Sequence, residues 1–422
     1  MATLAERCTK MVEDVSPPPG SVPTTSLPLT FFDIQSLGSS PFQRLFFYEF
    51  PHPTSYLMQT TLPSLKTSLS LTLQRFFPFA GDHARHFQEF QLLLPKLLPA
   101  IASKTSSGCI QKMPLMAIQV TLFPNQGISI GVGFCHVAGD GRTLAHFMKS
   151  WASIQQSQGD LTCLNNPLPD FSSRDLIEDP LGLASLFMKR KWNFEDLSNN
   201  PIKKLRITCT IKRSQVELLK DLIKKKGCVE DNGSEPVSIS TFVVTCAYMW
   251  VCLTKLQETT VTQQISSADY SDELSYFLFA VDCRGHLKLP ATYFGNCTIA
   301  RTVAVKRSAL IGETGIVVAG KAIGREVMET YKGPLKGAER REIFKSRHPP
   351  IMVSASPKFE LYKIDFGWGR PRKTEVANIG SLGSLSLFSI AESREEEGSI
   401  EFGLALAPHE LDIFNSIFHR TY

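Results

Sequence analysis

At 422 residues the chain is too long for one ordinary core, and about two domains of roughly 200 residues each is the natural division. A composition of 43% hydrophobic and 20% charged residues is that of a globular protein able to bury a large core. The net charge of +5 is small for this length, and basic patches interleaved with aromatics do not occur, which argues against a nucleic-acid partner.

Ten cysteines could form disulfides, but Cys135, Cys246, Cys252 and Cys297 lie in apolar stretches and no C-x-x-C pair points to zinc or redox work. Scattered thiols fit a reducing compartment. Met1 to Asp14 is charged throughout and lacks the apolar run of a secretory signal. The longest apolar stretch, Thr241 to Leu253, is too short to span a bilayer. A cytoplasmic monomer with no membrane partner and no bound metal is expected.

Along the chain, Ser16-Pro17-Pro18-Pro19-Gly20 closes an extended lead-in. Leu62, Leu65, Leu69, Leu73 and Phe76 recur at three- and four-residue steps, predicting a helix over about 61–77. Met116, Ile118, Val120 and Leu122, then Ile128, Ile130, Val132 and Phe134, alternate on either side of Pro124-Asn125-Gln126-Gly127, predicting a hairpin with His136 just beyond its second strand. A helix restarts near Arg142 on a stripe of Leu144, Phe147, Met148, Trp151 and Ile154.

Periodicity fades from Gln155 to Asn200, which reads as a crossover between domains. Ser214 and Glu217 have the spacing of a capping box for a helix ending before Gly227, with Lys224-Lys225-Lys226 near its end complementing the dipole. Ser240 to Lys255 is apolar almost all round, as in a helix buried at a domain centre. Strand-like pieces follow at about 275–283, 351–364, 383–390 and 398–405, and a last helix opens at Pro408 to bury Leu411, Phe414 and Phe418. Strands and helices mixed without strict alternation predict an α/β arrangement in each half.

Two clusters carry chemistry. The first is His136-Val137-Ala138-Gly139-Asp140-Gly141. A histidine at the mouth of a strand can meet substrate, and this residue type titrates near neutrality, as a general base requires. Asp140 is placed to orient the imidazole or to lock the turn; a purely structural strand-end histidine is the competing reading. The second is Asp365-Phe366-Gly367-Trp368-Gly369, where two glycines bracketing a ring make a tight turn after an expected strand at Phe359 to Ile364.

In this order the signatures resemble the plant BAHD acyltransferases, which move acyl groups from coenzyme A thioesters to hydroxyls or amines. They are Leu27-Pro28-Leu29-Thr30-Phe31-Phe32-Asp33, Arg44-Leu45-Phe46-Phe47-Tyr48, Phe76-Phe77-Pro78-Phe79-Ala80-Gly81, H-x-x-x-D at 136–140, Tyr293-Phe294-Gly295-Asn296-Cys297 and D-F-G-W-G at 365–369. The resemblance implies two chloramphenicol-acetyltransferase-like α/β domains with mixed sheets and an active-site channel between them: residues 1–160 carrying H-x-x-x-D, a crossover at 161–200, and 201–422 carrying D-F-G-W-G.

It implies His136 as general base, and Asp140 paired structurally with Arg284 of Asp282-Cys283-Arg284. His286 stands where the family usually has a second arginine. Asp365, with Gly367, Trp368 and Gly369, is implied to be structural rather than a proton carrier. Ser240 and Thr241, opening the buried helix, match a stretch that contacts coenzyme A, and a helix N-terminus suits an anion.

The glycoside-type signatures resemble the anthocyanin, flavonoid and phenolic glucoside malonyltransferase branch. That implies an acyl-CoA co-substrate, malonyl-CoA, no bound cofactor, and a glycosylated phenolic acceptor. The extra malonyl carboxylate needs a cation, for which Arg174 is the candidate. A hydroxycinnamoyl donor is the alternative. Cys135 falls on the apolar phase of its strand and is set aside as a nucleophile; standing before His136 it also removes the doubled histidine of carrier-protein condensation domains. After Gly81 the chain passes through Asp82-His83-Ala84-Arg85-His86-Phe87 almost directly to Leu92-Leu93-Leu94-Pro95, where relatives carry further strands. A missing strand block would uncover the helix at 61–77 or the hairpin, and a shortened, inactive ligand-binding relative is the reading from another class.

Overall fold

The alternation on either side of Pro124–Gly127 produces the hairpin its period requires. In the computed structural model Met116–Phe123 and Gly127–Phe134 pair antiparallel, and Asn125 takes the left-handed φ of 61° that the turn needs. The structure describes residues 13–22, 25–37, 39, 41–84, 100–105, 108–163, 167–189, 204–230, 237, 239–262, 273–336, 347–377, 379 and 386–420.

In chain order the first elements are α1 (Phe31–Ile34), β1 (Phe42–Tyr48), α2 (Thr54–Tyr56), α3 (Leu62–Arg75), β2 (Asp82–Ala84), β3 (Ala100–Thr105), β4 (Gly108–Pro114), β5 (Met116–Phe123), β6 (Gly127–Phe134) and α4 (Gly141–Gln156). There follow α5 (Leu183–Met188), β7 (Leu205–Ile211), α6 (Arg213–Glu230), α7 (Thr241–Thr262), β8 (Leu274–Asp282), β9 (Thr298–Lys306), α8 (Arg307–Ile311) and α9 (Gly315–Lys332). The last are β10 (Ile351–Ser354), β11 (Lys373–Val376), β12 (Ser386–Glu392), β13 (Ile400–Leu406) and α10 (Leu411–Arg420). Among the described residues no helix is long and apolar enough to cross a membrane.

The chain forms two units. The first comprises Met1–Glu178, Pro290–Asn296 and Glu360–Ala377. Its main sheet has the order β11-β1-β6-β5, antiparallel throughout. β6 is buried at every position, whereas β5, outermost in that order, is half-buried along its whole length. The predicted stripes of α3 and α4 are core: Leu65, Leu73, Phe147, Met148 and Trp151 are all buried. A small polar seam joins the two helices, with Trp151 Nε1 donating to Ser68 Oγ (3.0 Å) and Ser68 Oγ to Gln155 Oε1 (2.7 Å).

The second unit comprises Asp179–Leu289, Cys297–Phe359 and Asn378–Tyr422. Its sheet, β7-β13-β12-β10-β8-β9, is mixed, because β10 runs parallel to both β12 and β8 while the other pairs are antiparallel. The apolar run beginning at Thr241 is its central helix: Val244, Tyr248 and Trp250 are fully buried, and Trp250 Nε1 finds Ser275 Oγ at 2.8 Å.

Several expectations change. The division at 160 and 200 differs from the observed units, because β11 pairs with β1 and carries the Asp365–Gly369 loop into the first unit rather than the second. Phe359–Ile364 is not a strand: it forms short 3-10 turns hinged at Glu360, whose φ is 51° and whose carboxylate holds both Lys149 and Lys363. The capping box does not form at Ser214. The helix begins at Arg213, Gln215 Oε1 accepts from Lys212 N (2.9 Å), and Glu217 pairs with Lys220 (2.7 Å). Nor does Gly227 end that helix, so the lysine run is exposed mid-helix. Directly after Gly81, β2, β4 and β3 form a three-stranded sheet, so strand structure is present where its loss was expected; residues 85–99 lie outside the described residues.

Candidate active site

His136 opens a short 3-10 turn, His136–Ala138, between β6 and α4. The turn is locked from its far side. The Asp140 carboxylate accepts from the backbone N–H groups of Arg142 and Thr143, each at 3.1 Å, as the N-cap of α4. Gly139 has to be small, since a Cβ there would lie 2.8 Å from Thr143 Cγ2. Thr143 in turn holds the Gly295 backbone, donating from Oγ1 to the carbonyl at 3.0 Å.

Between these anchors the imidazole is half-buried, and its Nδ1 lies 3.1 Å from Asn296 Oδ1. The orientation of the amide settles which ring nitrogen carries the proton. Asn296 is fully buried, and its Nδ2 faces three acceptors: His136 O (2.8 Å), Asp33 Oδ1 (3.1 Å) and Val137 O (3.3 Å). With the NH₂ group spent on those oxygens, Oδ1 is an acceptor that only a ring N–H can satisfy. Nδ1 therefore carries a hydrogen, and in the neutral ring Nε2 holds the lone pair. Among the described residues Nε2 has no hydrogen-bond partner. An imidazole clamped at one nitrogen and open at the other is the arrangement a general base needs.

Arg174 does not fit the role of a cation for a donor carboxylate. It is 7% exposed; Nη1 lies 2.5 Å from Asp33 Oδ2, and the guanidinium donates to the carbonyls of Pro28 (3.0 Å) and Phe294 (3.2 Å). Its charge is neutralised inside the first unit.

Asp365 turns its own loop. Oδ1 accepts from Gly367 N (2.7 Å) and Gly369 N (2.9 Å), and both glycines have positive φ, 98° and 92°. Phe366 and Trp368 pack edge-on against Tyr48, whose buried hydroxyl donates to Ile364 O at 3.1 Å. Burial, reinforced by the Asp365 charge, pushes the Tyr48 phenol well above its ordinary range. The loop is a clasp on β1.

In the second unit Ser240 is the exposed N-cap of α7, accepting from Val243 N at 3.3 Å, with Thr241 the first helical residue. Arg284 is buried and reaches Asp282 Oδ1 at 3.2 Å. Burial pushes the Cys283 thiol between them up to about 12, so it is held as an inert thiol.

Sequence reasoning did not give Asn296 a role, although Tyr293–Cys297 had been singled out as a signature; an asparagine invites no assignment until its partner, 160 positions earlier, is beside it.

Comparison with known proteins places the chain in a family. The family model described as the transferase family matches residues 84–421. The chain is 34% identical to the Arabidopsis thaliana coumaroyl-CoA:anthocyanidin 3-O-glucoside-6''-O-coumaroyltransferase 2, with 96% of this chain and 95% of that one covered. It is 31% identical to the Dahlia pinnata malonyl-coenzyme A:anthocyanin 3-O-glucoside-6''-O-malonyltransferase, with the same coverages. The first alignment runs over 461 positions, more than the 422 residues present, so that relative carries residues with no counterpart here. In fold the chain is similar to F. sporotrichioides TRI101 complexed with coenzyme A and T-2, at a TM-score of 0.60 and 16% identity, covering 92% of this chain and 96% of that one. With the signature motifs, the fold and relatives matched almost end to end all in agreement, the chain is a member of the BAHD acyltransferase family, whose enzymes take acyl-CoA as co-substrate.

Proposed function

We propose that this acyltransferase esterifies a sugar hydroxyl of a flavonoid or other phenolic glucoside, with His136 Nε2 as the general base. One observation carries the reading: Nδ1 is occupied by Asn296 while Nε2 has no partner among the described residues. The acceptor hydroxyl gives its proton to Nε2 as its oxygen bonds to the thioester carbonyl carbon. The tetrahedral adduct then expels coenzyme A by breaking the C–S bond, and the thiolate takes the proton back from Nε2. No acyl-enzyme is needed. Ser240 and Thr241 are proposed to meet the donor at the N-terminus of α7, where the helix dipole favours an anion. Asp140 is proposed to pair with Arg284, supporting the His136 turn.

The glycoside-type signatures and the Dahlia relative support a malonyl donor. A hydroxycinnamoyl donor is the second reading, favoured by the coumaroyltransferase relative and by Arg174, whose commitment to Asp33 leaves a malonyl carboxylate to find another cation. The test supplies malonyl-CoA and coumaroyl-CoA together with flavonoid glucosides, following thiol release and product mass. Malonyl ester is expected; coumaroyl ester alone replaces the first donor with the second. His136→Ala is expected to lower turnover about 100- to 10,000-fold. Thiol release no higher than in that variant would leave the ligand-binding reading instead.

A further inference from the structure

The clamp on His136 does not end at Asn296. Asp33 is fully buried and accepts five hydrogen bonds. Oδ1 receives the backbone N–H and Nδ2 of Asn296, both at 3.1 Å. Oδ2 receives Thr30 N and Thr30 Oγ1, both at 2.9 Å, and Arg174 Nη1 at 2.5 Å. A chain of contacts therefore runs from a buried guanidinium through a carboxylate and an amide to the imidazole: Arg174, Asp33, Asn296, His136. Every member belongs to the first unit.

We infer that Asp33 and Arg174 are remote positioning residues for the acyl-transfer base, fixing its tautomer and supporting the positive charge the ring acquires as it takes the proton. The inference rests on His136 being that base. The chemistry follows from the order of the groups. Arg174 sets a guanidinium against the buried Asp33 carboxylate, and a carboxylate is the strongest acceptor available to an amide N–H. Drawing on Nδ2 polarises the amide and makes Oδ1 a better acceptor for the ring N–H, since bonded dipoles reinforce one another. When Nε2 is protonated, the imidazolium faces an oriented amide oxygen with a carboxylate behind it, preorganised before the reaction. That support is felt where the ring is charged and little in the substrate complex, so it belongs in kcat rather than KM.

Capping α1 does not account for all the contacts of Asp33. A cap needs one oxygen and no cation, whereas Oδ1 is given wholly to Asn296 and Arg174 contributes nothing to α1.

The experiment uses the full chain labelled with ¹⁵N-histidine, the His136 ring signals being identified by their loss in His136→Gln. Wild type is expected to show Nδ1 protonated and Nε2 bare. Asp33→Asn is expected to give a mixture of tautomers and a kcat lower by about 10- to 100-fold, with KM for donor and acceptor within about twofold. Should Asp33→Asn fail to fold, Arg174→Lys keeps the charge but loses the planar fork, and a smaller change in the same two readouts is expected. An Nε2-protonated wild type would overturn the inference. So would a folded variant that melts at lower temperature but keeps wild-type kcat and a single tautomer. The two readings fail separately: turnover surviving in His136→Ala removes the base, whereas an unmoved tautomer removes only the relay.

Discussion

Gly295 illustrates how single positions are constrained by the site. Its φ of +134° lies outside what side-chain-bearing residues adopt, and a Cβ would fall 2.6 Å from Arg174 Nη2 and 3.0 Å from the Tyr293 hydroxyl. Gly295→Ala must strain the backbone and push the guanidinium that braces Asp33, so a loss of about 1–3 kcal/mol is expected in a denaturant melt. At this scale the sequence was partly legible. His136 is displayed by the end of an alternating strand, which periodicity exposes. Arg174, read as a cation for substrate, is a cation for Asp33, because the partner lies 141 positions away and spacing carries no trace of it.

Among the elements, α4 bears most directly on the proposed chemistry because its first turn carries the His136 turn. Asp140→Ala removes the oxygen that caps two backbone N–H groups and is expected to cost about 0.5–2 kcal/mol. Asp140→Asn keeps a capping oxygen while discarding the charge. If Asn matches wild type in a thermal melt, the cap is the whole contribution; a further loss in Asn measures the proposed pairing with Arg284. Helices with clean stripes, α3 and α4, and the β5–β6 hairpin were legible because one face is apolar. β1 was not, since its Arg44–Phe46 run is buried on both faces and no alternation survives. α9 was missed because its sequence is interrupted by glycines. Gly320 is explained by α6, for a Cβ there would meet Ile223 Cδ1 at 2.7 Å, a packing requirement that imitates a helix breaker.

For the whole molecule, two histidines tie stability to pH. His146 in the first unit and His348 in the second both have pKa values lowered from the ordinary 6.5, chiefly because burial disfavours the charged ring, with Lys149 adding to the effect at His146 and Arg307 at His348. The unfolded chain binds these protons more readily than the folded one. Stability is therefore fully present above about pH 6.5 and declines as pH falls from there toward the folded-state values. A melting temperature that drops between pH 7 and pH 5, with a shallower slope in His146→Gln and in His348→Gln, is the expected result. Domain organisation was the least legible feature, since nothing local marks Pro290–Asn296 or Glu360–Ala377 as returning to the first unit.

That return path bears on protein engineering. A hybrid joined at residue 200 from two homologous parents would inherit the imidazole from one ancestor and its amide clamp from the other. Module exchange in this lineage thus recombines the proposed proton acceptor with a foreign holder. Productive crossovers should be those that transplant residues 290–296 along with the amino-terminal half.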